Sequence, residues 1–247
     1  MKYHDKFEIN IVEALSSQLV AAFEVLDRGE LSERVVKSIP ADQGVYQLFK
    51  GDTLVYIGKS GNLRKRLNDH FKKISGRNNI SVTEMSFKCL SVHPNWTALA
   101  PEETLIRYFK ERRSGDCEWN GNSFGPHDPG RNRETTNKPP QGFDAQYPIR
   151  EDWLCKDILP GSWNGSELLR KLKSELPYLL RYQTIGSLKK GHPDYNNASI
   201  HILNTSTAVD ILTEIARQLP NWQATVFPSH MILYRETKSY DYGRILK

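Results

Sequence analysis

Cysteine is scarce in this chain, and the scarcity argues against several classes of protein at once. Cys89, Cys117 and Cys155 are scattered without paired spacing, which speaks against a disulfide framework and against a four-ligand zinc site. His93 and His127 do not change this, because Cys117 and His127 lack the second ligand pair that a structural zinc needs. No apolar run approaches the length of a membrane span. The opening Met-Lys-Tyr-His-Asp-Lys has no hydrophobic core of a signal peptide, so a reducing cytoplasm is the expected setting. No internal repeat is visible. Strong charge of one sign is missing as well: the net is only +5 over 247 residues.

The distribution of that charge says more than its sum. Residues 1–42 carry five basic against eight acidic side chains. Residues 59–77 carry seven basic ones (Lys59, Arg64, Lys65, Arg66, Lys72, Lys73 and Arg77) against Asp69 alone. A run like this is commonly a solvated helix face, but here it falls on a segment that also bears chemistry, which favours phosphate contact. The length allows one sizeable core, or one core and a small second domain.

Ile11, Leu15, Leu19, Phe23 and Leu26 recur at helical spacing, predicting an amphipathic helix over 8–27. Residues 44–49 and 54–58 read as strands around Gly51-Asp52. For Tyr46 and Tyr56 to face one site, paired residue numbers must sum to an even value, which calls for a three-residue loop at 51–53. Leu63, Leu67, Phe71 and Ile74 mark the buried stripe of a helix over 61–75, with Arg66 and His70 beside it, one turn apart. A third strand is expected over 85–92 and a helix over 97–113. From 114 to 150 the texture turns to Gly, Asn, Pro and charge; Arg131, Arg133 and His127 suggest a loop that orders on DNA. After a boundary near 159–165 come a helix (166–176), a strand (199–203), a helix (207–218) and strands at 222–227 and 231–235, without a catalytic motif.

Two phenols, an arginine, a histidine and a carboxylate are what metal-assisted phosphodiester cleavage uses. Two glutamates compete for the carboxylate role. Glu102 shares a helical face with Leu105, Ile106 and Phe109, whereas Glu103 faces Arg107 and Lys110 in a solvated arrangement. A carboxylate on the packed side needs a compensating cation, which Mg²⁺ supplies. Arg64, Lys65, Lys72, Lys73 and Lys59 are expected to meet flanking phosphates.

With this spacing, residues 44–120 resemble the GIY-YIG nuclease superfamily: Gly44-Val45-Tyr46, Tyr56-Ile57-Gly58, an arginine ten and a histidine fourteen residues after Tyr56, then the glutamate. Trp119-Asn120, Phe124-Gly125-Pro126-His127-Asp128-Pro129-Gly130 and Asp152-Trp153 resemble more narrowly its type II restriction endonucleases, Mg²⁺-dependent homodimers or higher oligomers that cut CCGCGG. That resemblance spans about residues 5–155. It implies an α+β fold with a small three-stranded antiparallel sheet flanked by helices, over residues 1–158; the elements predicted beyond it read as a small α+β module over 159–247 that the resemblance does not cover. It also implies roles: Tyr46 as general base, Tyr56 orienting the water, Arg66 on the phosphate oxygens, His70 supporting deprotonation, Asn120 holding the site in shape, and Glu102 on Mg²⁺ (or Mn²⁺). The expected function is site-specific cleavage of double-stranded DNA. The rivals are a repair or mobile-element nuclease of the same superfamily and a catalytically idle DNA-binding module. Keeping all the chemical positions argues against idleness. The tail beyond 155, with twelve basic against eight acidic residues, suits DNA contact slightly better than subunit contact.

Overall fold

A computed structural model describes residues 3–6, 11–93, 102–112, 116–125, 142–186, 191–204 and 206–246; the side chains of residues 11–13, 102, 104 and 112 lie outside that description. The chain forms two compact units, Met1–Phe71 with Val82–Gly121, and Lys72–Ser81 with Asn122–Lys247.

The first unit is an α+β structure. Its elements are α1 (Ile11–Glu24), β1 (Gly29–Glu30), α2 (Glu33–Ser38), β2 (Gly44–Lys50), β3 (Thr53–Ser60), α3 (Leu63–Ser75), β4 (Met85–Ser91) and α4 (Glu102–Arg112). The strands form one antiparallel sheet in the order β1-β4-β2-β3. It has four strands rather than three. The extra strand is two residues long, pairing Gly29 with Phe87 and Glu30 with Ser86, too short to show any alternation in sequence. Because side chains alternate along β2, Val45 and Phe49 join Leu19, Val20, Phe23, Leu54, Ile57 and Leu105 in one core, while Tyr46 and Leu48 point to the opposite face.

The β2–β3 hairpin departs from the expected loop. Lys50 faces Thr53 and Phe49 faces Leu54, so the connection is the two-residue turn Gly51-Asp52, where Gly51 takes a φ of 53° that glycine adopts at no steric cost. Left uncorrected, that register would put the two tyrosines on opposite faces. A β-bulge corrects it: Val55 is the unpaired extra residue, and beyond it Leu48 faces Tyr56 and Tyr46 faces Gly58.

Helix α3 also differs in detail. Its fully buried positions are Leu63, Leu67 and Ile74 together with His70, while Phe71 is only half-buried. Positions i, i+4, i+7 and i+11 form the tighter face of a 3.6-residue helix, so the histidine takes a core position and does not border the stripe.

The second unit contains α5 (Gly142–Gln146), β5 (Gly161–Asn164), α6 (Gly165–Glu175), β6 (Leu179–Tyr182), α7 (Pro193–Asn196), β7 (Ser199–Ile202), α8 (Ala208–Gln218), β8 (Gln223–Val226), β9 (His230–Tyr234) and β10 (Arg244–Leu246). A mixed sheet, β10-β8-β9-β6, has β6 parallel to β9, and β5 pairs antiparallel with β7. Leu168 and Leu172 of α6 pack with Ile211, Leu212 and Ile215 of α8 around Tyr195 and Trp222. Ile149, Cys155 and Ile158 are buried in the same core, so this compact unit takes in residues before the expected boundary at 159. Among the described residues, no helix is long and apolar enough to cross a membrane.

Candidate active site

The face of the sheet opposite the α1–α4 core carries the chemistry. Tyr46 is fully buried on β2, Tyr56 lies on β3, and their ring centroids are 6.1 Å apart. From α3, His70 places Nε2 at 2.8 Å from the Tyr46 hydroxyl oxygen, and Arg66 donates its Nε–H to that oxygen at 3.1 Å. The Tyr56 ring lies 5.7 Å from the imidazole. A histidine only 2% exposed must find a polar partner, and Tyr46 provides one.

A guanidinium only donates, so Tyr46 accepts from Arg66; in the tautomer with Nε2 unprotonated, the phenol proton is available to His70. Move that proton to the imidazole, and the phenolate oxygen then accepts from both Arg66 and His70. The trio therefore stabilises a charged Tyr46 oxygen, the condition under which a phenol with a pKa of about 10 can serve as a base. Burial, the largest single influence, pulls the Arg66 pKa down; the Tyr46 and Tyr56 hydroxyls together outweigh it, so the net shift is upward. The guanidinium stays charged.

Two glycines make this geometry possible by leaving space. A Cβ at Gly58 would stand 2.6 Å from Tyr46 Cζ and 2.8 Å from Tyr56 Cε1, and one at Gly44 would stand 2.7 Å from Leu63 Cδ1. Gly58 was not among the expected site residues, although an interior strand glycine is itself a signal of close approach.

β3 is the sheet edge, and Cys117–Asn120 covers it. Cys117 donates its N–H to Leu54 and Trp119 its N–H to the bulge residue Val55. Asn120 then acts as a surrogate peptide: its Oδ1 accepts from Ile57 N–H at 2.9 Å and its Nδ2 donates to Ile57 C=O at 2.8 Å. The residue after Tyr56 is thus held at both of its polar groups, and the otherwise open edge is paired.

The other expected positions divide. Lys59, Lys65 and Lys72 are exposed, and Arg64 is exposed while donating to the Ile39 carbonyl at 2.6 Å. Lys73 departs from a phosphate-facing role. Its ammonium donates to the Phe124 carbonyl at 2.6 Å and lies 4.6 Å from the centroid of the Phe124 ring, a carbonyl and an aromatic face that already satisfy the charge. Arg77, last of the basic run, is buried in an ion pair with Asp144 at 2.9 Å. Glu103, Arg107 and Lys110 are exposed and Leu105 is buried, as the helical face argument for α4 requires. Glu102 opens α4, which packs on β3, but its side chain lies outside the described residues, as do His127, Arg131 and Arg133 entirely. Among the described residues, no three His, Cys, Asp or Glu side chains come together.

The stretch that carries this site is similar to a known family of domains. Residues 43–114 match the GIY-YIG catalytic domain. Among curated proteins the similarity runs to UvrABC system protein C. The Fervidobacterium nodosum protein is 41% identical over 83 residues, covering 33% of this chain and 15% of that protein. The Bacteroides fragilis protein is 29% identical over 91 residues, covering 35% and 15%. The Actinobacillus succinogenes protein is 45% identical over 42 residues, covering 17% and 7%. The chain thus spans about 15% or less of the length of these relatives.

Proposed function

We propose that this chain is a DNA endonuclease that hydrolyses phosphodiester bonds, with Tyr46, Tyr56, Arg66, His70 and Glu102 as its catalytic residues and Asn120 as a positioning residue. The observation that carries this reading is the Tyr46 hydroxyl held between His70 Nε2 and Arg66 Nε. Tyr46 takes a proton from the attacking water as its own proton passes to His70. The water oxygen bonds to phosphorus while the leaving sugar oxygen departs with the bonding pair and takes a proton from solvent water, and His70 later returns its own proton to solvent. Arg66 offers its remaining N–H groups to the non-bridging oxygens. Tyr56 orients the water. A divalent cation, Mg²⁺ in this reading, supplies charge neutralisation at the phosphate. One carboxylate, Glu102, with water completing the shell fits the way Mg²⁺ is usually held.

The relatives named above favour a repair-type or mobile-element nuclease over a restriction enzyme. In this reading the nuclease domain makes one incision and the second unit extends the DNA footprint or joins subunits. The restriction reading keeps one specific support, the resemblance over Trp119-Asn120, Phe124–Gly130 and Asp152-Trp153. It would most simply use a two-fold dimer, because one site cuts one strand. Incubating the full chain and Mg²⁺ with supercoiled plasmid and with phage DNA tests both. Conversion of plasmid to open circles without discrete phage fragments supports the repair-type reading, and discrete fragments support restriction. Intact DNA under every metal tried overturns the nuclease reading.

A further inference from the structure

The helix that carries Arg66 and His70 is tied down just past its end. α3 runs unbroken from Leu63 to Ser75, so both residues and the last turn belong to one hydrogen-bonded rod. Beyond Ser75 the backbone turns at once: Gly76 donates its N–H to the Lys72 carbonyl and Arg77 its N–H to the Ile74 carbonyl. The next residues are fastened by a cluster of bonds. The Gly76 carbonyl accepts from Arg150 N–H at 2.8 Å, Asn78 N–H donates to the Pro148 carbonyl at 2.8 Å, and Asn78 Nδ2 donates to the Ile149 carbonyl at 3.3 Å.

Arg77 sits at the centre of this cluster and is only 3% exposed. Its Nη1 lies 2.9 Å from Asp144 Oδ1, and it reaches the carbonyls of Tyr147 at 3.1 Å and Pro228 at 3.2 Å. Its guanidinium also lies 5.2 Å from the centroid of the Phe143 ring, and the Lys73 ammonium, from the last turn of α3, lies 5.1 Å from the same ring. The acceptors come from separate stretches of chain, and a planar donor group satisfies them in one orientation only. A buried ion pair is weak evidence for stability, since well-packed apolar groups often do as well in its place. What such a pair does supply is direction.

We propose that Arg77, with Asp144, is a positioning residue of the nuclease site. By fixing the C-terminal end of α3 it sets the rotation and the axial position of the rod, and so places Arg66 Nε and His70 Nε2 on the Tyr46 oxygen. Arg77 touches none of the reacting groups and acts through the helix. A shift of about 1 Å at reacting groups costs on the order of 10²-fold in rate, so a small release at the end of the rod is felt at the site. The kinetic consequence rests on the nuclease reading; the placement of His70 does not.

Arg77→Lys keeps the charge and removes the planar fork, and the full chain is the protein to test. Two measurements are made on the folded variant: the imidazole nitrogen resonances of His70 by NMR, and single-turnover cleavage at saturating duplex with duplex affinity beside it. The His70 resonances should shift from their wild-type positions, and the rate should fall roughly tenfold or more while affinity stays within about threefold. Arg217→Lys, at an exposed arginine paired with Glu214, should change none of these. If Arg77→Lys does not fold, Asp144→Asn takes its place with the same expectations. A wild-type protein that cuts nothing removes the nuclease reading, and the His70 resonances then decide the proposal alone. Unmoved His70 resonances in the folded variant, or a slower rate explained by a matching loss of duplex affinity, would overturn it.

Discussion

Gly58→Ala is the substitution for which the structure gives the sharpest expectation. The added methyl would stand 2.6 Å from Tyr46 Cζ and 2.8 Å from Tyr56 Cε1. Ordinary carbon contacts lie at about 3.5–4.0 Å, so the rings must retreat by about 1 Å. Tyr46 is fully buried and hydrogen-bonded to His70 at 2.8 Å, so it cannot move without lengthening that bond. Overpacking of this kind costs about 1–3 kcal/mol of stability. A misplacement of about 1 Å at reacting groups costs on the order of 10²-fold in rate. Plasmid cleavage under single-turnover conditions, with a urea unfolding curve beside it, separates the two losses. Gly61→Ala is the control, since a Cβ there meets nothing within 4 Å, and it should be neutral in both assays. Wild-type cleavage by Gly58→Ala, with unchanged unfolding, would refute the claim that the glycine exists to admit the tyrosine rings.

Other expectations follow from the same reasoning. Glu102→Ala should abolish cleavage and leave DNA binding largely intact, because the metal acts on the transition state; Glu103→Ala should be nearly neutral, and equal damage from both would show the wrong carboxylate was chosen. Arg77→Met should cost about 3–5 kcal/mol by urea unfolding, because it removes the buried guanidinium that pairs with the Asp144 carboxylate; an unchanged unfolding midpoint would argue that the pair contributes little. Burial pushes the thiols of Cys117 and Cys155 from an ordinary 9.0 up to about 12. Folding therefore favours the neutral thiols, a stabilisation fully present below pH 9 and lost as pH rises toward about 12. Both thiols should resist a thiol-specific reagent at pH 8 in the native protein; immediate reaction of all three cysteines would contradict this.

The parts of the fold that sequence made legible are those with local signals. α6 and α8 begin at Asn164 and Thr207, capping side chains that accept from backbone N–H groups, and their apolar periods are unbroken. β6 and β10 were missed because each is short and β6 finds its partner, β9, far along the chain. In the site, the tyrosine, arginine and histidine positions were readable from spacing alone. The means of bringing them together was not. The two tyrosines share a face because Val55 bulges, and nothing local in that strand announces a bulge. The basic run was over-read at its end: Lys73 and Arg77 look like Arg64 and Lys65 in sequence, but tertiary partners turn them inward.

The central claim is that the Tyr46 oxygen, held between His70 and Arg66, accepts the proton of the attacking water. Tyr46→Phe removes that oxygen and keeps the buried ring, so single-turnover cleavage of a labelled duplex by the folded variant measures the claim directly, with duplex binding followed by fluorescence anisotropy. The account expects binding within a few-fold of wild type and a rate reduced by roughly 10²-fold or more. A Tyr46→Phe protein that cleaves at the wild-type rate would contradict it and leave His70 or a metal-bound water to do the work of the base.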